Sequence, residues 1–443
     1  MALGSIQTSA VSHAMPVELL AKDNVKADSR IVKMQDLRAA PSSNFFLHCA
    51  PRYFEVSSPD NEYMRDHLVE SMKGLSADFS TFAKQQKLPK LTRQNLLNTC
   101  KEFATDQRSY HELANDVSAI LKQGGAEKHS KKAEALVMQY RQGANQTAQA
   151  QHKGLVQKLA ELKLPAEPLI SNKRQTDAVF ATDTGQQIGQ LYIPASFHNQ
   201  RRFGEETSAM QFAHDHGLNV QPMIGKGGKD ITFEGGDLRQ IPGKSAYLMG
   251  FGLRSNDQGA KTIAQMAGVD VFPIKMLRED FYHLDCCLCP LPNNKLIMFK
   301  GSEDNPTFTK ESDDFLHNLY GKDNILYISE KEAQHFATNL VMAKDQLVVS
   351  EGAFSKDSMA TLKNWGFKVN EVPYEVFHKS GGSIRCSLSE LTSQNFKKRH
   401  GLNDLVNAKD GKADFFDDHQ VIDIDAIKRR AQFSSVMPQH FEV

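Results

Sequence analysis

Beyond Pro165 the chain is written in short strands, and this limits what it can build. Residues 188–194, 246–251, 295–299, 325–328, 340–342, 347–350 and 367–372 are brief runs of β-formers, set apart by glycine turns and stretches of helical pattern. Residues 355–365 read as one such helix, with Met359 and Leu362 facing inward. Strands alternating with helices over so long a stretch indicate an α/β architecture. The preceding region obeys a different period. Leu68, Met72, Leu75, Phe79 and Phe82 recur at three- and four-residue steps, which marks one face of a helix. Thr92 is placed to cap a second helix carrying Leu96, Leu97, Cys100 and Phe103. Tyr110, Leu113, Val117, Ile120 and Leu121 form a third stripe, which stops at Gly124 and Gly125. Leu136, Val137 and Tyr140, then Leu155, Val156, Leu159 and Leu162, continue the pattern, so 64–164 reads as about a hundred residues of helix. Before it, NFFLHCAPRYFEV from Asn44 reads as a first buried strand closed by the turn SSPDN. Residues 1–43 are polar and aperiodic, an N-terminal extension, and 392–443 form a charged C-terminal one.

Lysine plus arginine and aspartate plus glutamate number 53 each, so net charge directs the protein to neither nucleic acid nor a membrane surface. No apolar run approaches the ~18–20 residues of a membrane helix. The first residues lack both a basic start and a continuous apolar core, so the chain is expected in the cytoplasm. Three of the six cysteines are crowded at 286, 287 and 289 and the others are scattered at 49, 100 and 386, which fits a reducing compartment better than a disulfide framework.

Chemistry concentrates at 281–292, FYHLDCCLCPLP, where His283 and Asp285 stand two apart in an apolar run. On a strand, i and i+2 share a face, so both would enter one space, where a buried pair is costly unless satisfied or used. Asp183 in DAVFATD, Glu234 and Asp237 in FEGGD, Arg254 in GFGLRSN and Cys386 in GGSIRCSLSEL are candidate partners. Cys386 follows two glycines that leave room for a substrate, and His283 is a candidate to lower its pKa; a buried, inert cysteine is the bland alternative. Cys286, Cys287 and Cys289 lack the second knuckle of a zinc site, so core packing is expected and no metal. The FEGGD acids read either as a solvated turn or as a grip for a planar cation. Near ~4 Å each carboxylate would contribute about 4 kcal/mol at an effective dielectric near 20.

An acid in an F-x-x-D strand, EGGD, G-x-G-x-R, HLD and a late GG-x-x-R-C follow one another here. That order resembles the guanidino-group-modifying enzymes, the pentein superfamily of arginine deiminases, dimethylarginine dimethylaminohydrolases and amidinotransferases. The likeness also takes in FLHCAPRYFEV, RRFGEE and ATNLVMAKDQLVVS, and runs from Asn44 to about Leu391 without most of 65–140. It implies an α/β propeller of five ββαβ modules, a catalytic domain at 44–391 interrupted by a helical insertion at 65–140. It also implies roles. Cys386 would attack the guanidinium carbon to give a covalent thiouronium, and His283 would protonate the departing nitrogen and activate the resolving water or amine. Asp183 and Asp285 would grip the guanidinium, Glu234 would orient it and assist His283, and Asp237 would support the substrate site by holding the glycine turn. Arg254 corresponds to the arginine for a substrate carboxylate; Arg202 is a second candidate, with Arg201 competing for the alignment. The expected activity is hydrolysis of arginine or an N-methylated arginine to a ureido product plus ammonia or an alkylamine, without cofactor. The alternatives are amidino transfer to an amine, or an idle pentein that binds a protein partner through its helical insert. The branch that takes arginine through to ornithine carries asparagine where Asp183 stands, which sets this chain apart from it.

Overall fold

A computed structural model describes residues 44–392 except 58, 107 and 224–230. The extensions expected at 1–43 and 392–443 therefore lie outside the described residues, apart from Thr392. Strand β1 (Asn44–Cys49) starts the described chain, and four helices follow before β2 (Ala166–Leu169) returns parallel to it. Asn61 caps α1 (Glu62–Gln85) by accepting from the Met64 amide at 2.9 Å. Helix α2 (Lys90–Phe103) starts after Pro89 with no side-chain cap. Thr92, expected to cap it, lies inside the helix and packs against Gly124, because proline already supplies the helix start. Ser109 and Glu112 form a capping box for α3 (Tyr110–Gln123). The last two apolar stripes belong to a single helix, α4 (Ser130–Glu161).

The other modules repeat one plan. A hairpin pairs β3 (Gly185–Ile188) with β4 (Leu191–Pro194), and α5 (Glu206–Asp215) carries the chain to β5 (Asn219–Val220), parallel to β4. Strands β6 (Leu238–Gln240) and β7 (Ala246–Phe251), helix α6 (Asp257–Ala267) and β8 (Asp270–Lys275) follow suit. So do β9 (Leu288–Leu291), β10 (Lys295–Met298), α7 (Lys310–Tyr320) and β11 (Ile325–Tyr327). In the next, β12 (Val341–Ala343) and β13 (Gln346–Ser350) are joined through α9 (Lys356–Asn364) to β14 (Lys368–Val372); α8 (Glu330–Gln334) precedes them. A short α10 (Glu375–His378) then leads toward β15 (Ser389–Thr392), which pairs antiparallel with β1. The two ends of the described chain thus complete one sheet, and five three-stranded sheets share a topology.

In that closing sheet the four helices occupy the place of the single crossover helix found in the other four. Their stripe, including Leu68, Leu75, Phe79, Leu96, Leu113 and Leu155, forms one continuous core with Phe46 of β1 and with Tyr374, Phe377, Ile384 and Leu388 near the C-terminal end of the described chain. Among the described residues, no helix is long and apolar enough to cross a membrane.

Candidate active site

Each sheet's first strand is entered through a turn that carries a chemically distinctive side chain. Asp183 lies in the turn Ala181–Thr184 before β3, and Glu234 leads the turn Gly235–Asp237 before β6. His283 leads the turn Leu284–Cys286 ahead of β9. The strand expected through His283 and Asp285 is therefore a 3-10 turn, and β9 begins only at Leu288, because the chain folds back here to pair Leu288–Leu291 with β10. Asn339 precedes β12 and Cys386 precedes β15. The glycines of EGGD allow the turns to pack. A Cβ on Gly235 would come within 2.0 Å of the Thr182 carbonyl, and one on Gly236 within 2.8 Å of His283 Nδ1 and 2.9 Å of Asp183 Oδ1.

These turns converge on Cys386. Its Sγ accepts a hydrogen bond from Asn339 Nδ2 at 3.0 Å, while its amide donates to Asn339 Oδ1 at 3.0 Å. Both oxygens of Asp285 lie 3.7 Å from the sulfur. The Cys386 carbonyl accepts from the Thr182 amide at 2.9 Å, tying the nucleophile's segment to the Asp183 turn. The His283 imidazole is near enough to Cys386 to favour its thiolate. The His283 ring also reaches Glu234 through Nε2 at 2.9 Å and faces Asp183 Oδ1 with Nδ1 at 3.5 Å. Glu234 Oε1 accepts from the His198 amide at 2.9 Å.

Electrostatics separate these groups. Burial opposes a thiolate at Cys386, yet the neighbouring Cys286 thiol and His283 imidazole outweigh it and bring the pKa down to about 5. For His283 burial opposes the charge, but Asp183, the nearby Cys386 and the bond to Glu234 raise the imidazole well above its ordinary value. A thiolate beside an imidazolium is the favoured pair at neutral pH. Burial opposes ionisation of Glu234 as well; His283, with Arg202 and Arg254 beyond it, overcomes this and lowers its pKa to about 2. Asp285 is the opposite case. Burial, then the charge of Cys386, pushes its carboxyl well above the usual range.

The remaining expected residues are arranged unequally. Arg202 is committed to acids: Nη1 pairs with Asp183 at 2.8 Å and Nε with Glu205 at 2.8 Å, and Nη1 lies 3.9 Å from Glu234. Arg254 is half-buried, stacked at 4.8 Å on the Tyr282 ring and bonded to the Asp60 carbonyl at 3.2 Å. Asp237 receives the amides of Leu284 and Ser255 at 3.0 and 3.2 Å, so it joins the His283 turn to the loop of Arg254. Cys287 and Cys289 pack in the core, whereas Cys286, in the same core, also directs Sγ at Asp285 Oδ1 at 3.5 Å. Sequence reasoning gave no role to Cys286, Thr338 or Asn339; Thr338 Oγ1 donates to the Asp285 carbonyl at 3.0 Å. Asn339 stands before the first strand of the one module in which no site residue was expected. Asp183, Glu234 and His283 form one group, and Asp285, Cys286 and Cys386 another, with the ligating atoms of each within 4.8 Å of one another; either could hold a cation.

Known proteins share this framework. The sequence is 27% identical over 243 residues to the bifunctional arginine dihydrolase/ornithine cyclodeaminase AgrE of Nostoc, covering 55% of this chain and 33% of that protein. The chain thus spans about a third of that relative's length. It is 24% identical over 246 residues to the N(G),N(G)-dimethylarginine dimethylaminohydrolase of Mycobacterium tuberculosis, covering 56% of this chain and 76% of that enzyme. The product-bound N-terminal domain of the cyanobacterial arginine dihydrolase ArgZ superimposes with a TM-score of 0.58 at 21% identity, over 79% of this chain and 98% of that domain. That likeness identifies the five sheets as a pentein α/β propeller. A sequence model of eukaryotic N,N dimethylarginine dimethylhydrolases matches residues 122–393, more than half of the chain. By that match the chain belongs to the N,N dimethylarginine dimethylhydrolase family of the pentein superfamily.

Proposed function

We propose that the protein is a cysteine-dependent hydrolase of arginine or an N-methylated arginine, releasing ammonia or an alkylamine and leaving a ureido product. The observation that carries this reading is the Cys386 sulfur, held by Asn339 Nδ2 at 3.0 Å and facing a buried carboxylate at 3.7 Å, with the His283 imidazole near enough to favour its thiolate. A planar cation entering between Asp183 and Asp285 adds positive charge directly beside Asp285. Its arrival favours the ionised form of Asp285, and its carbon becomes the target of the neighbouring thiolate. Attack gives a tetrahedral adduct; His283 donates its proton to the departing nitrogen and leaves a thiouronium on Cys386. The imidazole, now neutral and held by Glu234, takes a proton from water as the water attacks that carbon, and collapse returns the thiolate and the ureido product.

Arg254 is the better placed of the two arginines for a substrate carboxylate, because Arg202 already neutralises the acids. The AgrE and ArgZ relatives are named as arginine dihydrolases. With an aspartate at 183, we expect one round of hydrolysis and a stable ureido product. The test is incubation with arginine, methylated arginines, agmatine and an arginine-rich protein, with mass spectrometry of every product. Wild type should release a ureido compound from at least one, and Cys386→Ser should abolish turnover while keeping the fold. A ureido product formed equally well by Cys386→Ser, or by none of the substrates with wild type, sinks the reading.

A further inference from the structure

Cys286 has no step in the reaction above, yet its sulfur occupies a place that no other cysteine of the crowded run shares. It lies within 4.8 Å of the Cys386 sulfur and directs its thiol at Asp285 Oδ1 at 3.5 Å, the same oxygen that Cys386 Sγ approaches at 3.7 Å. Cys287 Sγ turns instead to the carbonyls of His283 and Leu284, at 3.9 and 3.5 Å. Cys289 Sγ receives Nη2 of Arg239 at 3.2 Å.

We propose that Cys286 is the resolving partner of Cys386 in a reversible disulfide that forms when a peroxide enters the site and blocks the nucleophile. The blocking role rests on Cys386 being that nucleophile. The Cys386 thiolate attacks one peroxide oxygen, the O–O bond breaks, and the departing hydroxide takes a proton from the His283 imidazolium to leave as water. Cys386 is then a sulfenic acid. The Cys286 sulfur attacks the Cys386 sulfur, the S–O bond breaks, and the hydroxyl leaves with the Cys286 proton as a second water. Two thiols have surrendered two electrons and two protons to one peroxide. The sulfurs must close to about 2.05 Å, a gap within the sweep of two cysteine side chains that start within 4.8 Å of each other. The arrangement has a chemical consequence. A sulfenic acid without a thiol at hand is oxidised on to sulfinic acid, which simple thiols do not reverse.

The full chain is treated with hydrogen peroxide, remaining thiols are alkylated, and the digest is mapped by mass spectrometry. The expected result is a peptide linked through Cys286 and Cys386 that a dithiol reductant separates, with turnover lost on oxidation and mostly regained on reduction. Cys286→Ser and Cys286→Ala, each compared only with its own untreated rate, should instead accumulate sulfinic acid at Cys386 and regain roughly tenfold less of that rate. A wild-type link through Cys287 or Cys289, or sulfinic acid at Cys386 with no linked peptide, overturns the proposal. Because the mapping is done on wild type, a variant that fails to fold does not remove the test. Turnover in a protein that never forms the bridge overturns this proposal alone. A bridge in a protein that turns over no guanidino compound overturns the functional reading, and the blocking role with it.

Discussion

A thiol buried as deeply as Cys386 would ordinarily resist ionisation, so its ionisation records how strongly its neighbours act. With the Cys286 thiol and His283 imidazole lowering its pKa to about 5, alkylation by iodoacetamide should rise through that pH and not near the unperturbed 9.0. His283→Ala should move the inflection upward, because it removes the imidazole and its positive charge. An inflection near the ordinary thiol value in wild type would mean that the pair is neutral in solution. The EGGD glycines permit a second measurement. Gly236→Ala places a methyl group within 2.8 Å of His283 Nδ1 and 2.9 Å of Asp183, so one of them must shift. Turnover should fall by about a hundredfold, as expected of a displacement near 1 Å in a catalytic group, with the circular dichroism spectrum unchanged. Turnover near wild type would show that the site tolerates the shift. The acids, imidazole and thiol were legible in the sequence because each stands beside glycines or a charged motif. Asn339 was not, since an amide in ATNLVM carries no charge pattern and its two bonds to Cys386 join residues 47 apart in the chain.

Length decided only part of which elements were legible. The helices of 62–161 announce themselves because a stripe repeated over several turns is hard to produce otherwise, whereas β5 is two residues long, and β6, LRQ, lacks the apolar run that marks the equally short β11 and β12. Proline masks two more strands, Pro273 in β8 and Pro290 in β9. One contact between elements carries its own prediction. His48 on β1 and His152 on α4 are buried against each other, with Nδ1 of the first 3.2 Å from Nε2 of the second. Burial lowers His48 to about 4 and lowers His152 well below its ordinary value, and the charge of His48 adds to the effect on His152. Below about pH 6.5 the unfolded chain binds protons that the folded one refuses, so stability falls as pH drops from there toward 4. Each histidine contributes a slope of about 1.4 kcal/mol per pH unit in that window. His152→Gln keeps a polar partner for His48 and should flatten the acid limb of stability, measured by denaturant unfolding, by about one proton's worth. Parallel limbs for wild type and variant would show that the pair titrates alike in both states.

At the scale of the whole molecule, the helical segment is built into the ring rather than hung from it. It replaces a crossover helix, shares a core with the closing sheet, and touches the site through its first turn. Asn61 both caps α1 and donates to the Ser380 carbonyl at 3.0 Å, just ahead of Gly381 and the Cys386 segment. The adjoining Asp60 carbonyl accepts from Arg254. Two substitutions separate support of the fold from support of the site. Leu113→Ala, fully buried in α3, should cost about 2–5 kcal/mol of stability and leave the turnover of the folded fraction unchanged. Asn61→Ala loses the cap, worth about 1 kcal/mol, but also leaves the Ser380 carbonyl with only the Tyr282 hydroxyl at 3.3 Å, so turnover should fall by more than its small stability loss accounts for. If Leu113→Ala instead lowers turnover in step with stability, and Asn61→Ala does not lower turnover at all, the helices serve the ring only as packing. The first turn of α1 would then have no hold on the loop that carries the thiol.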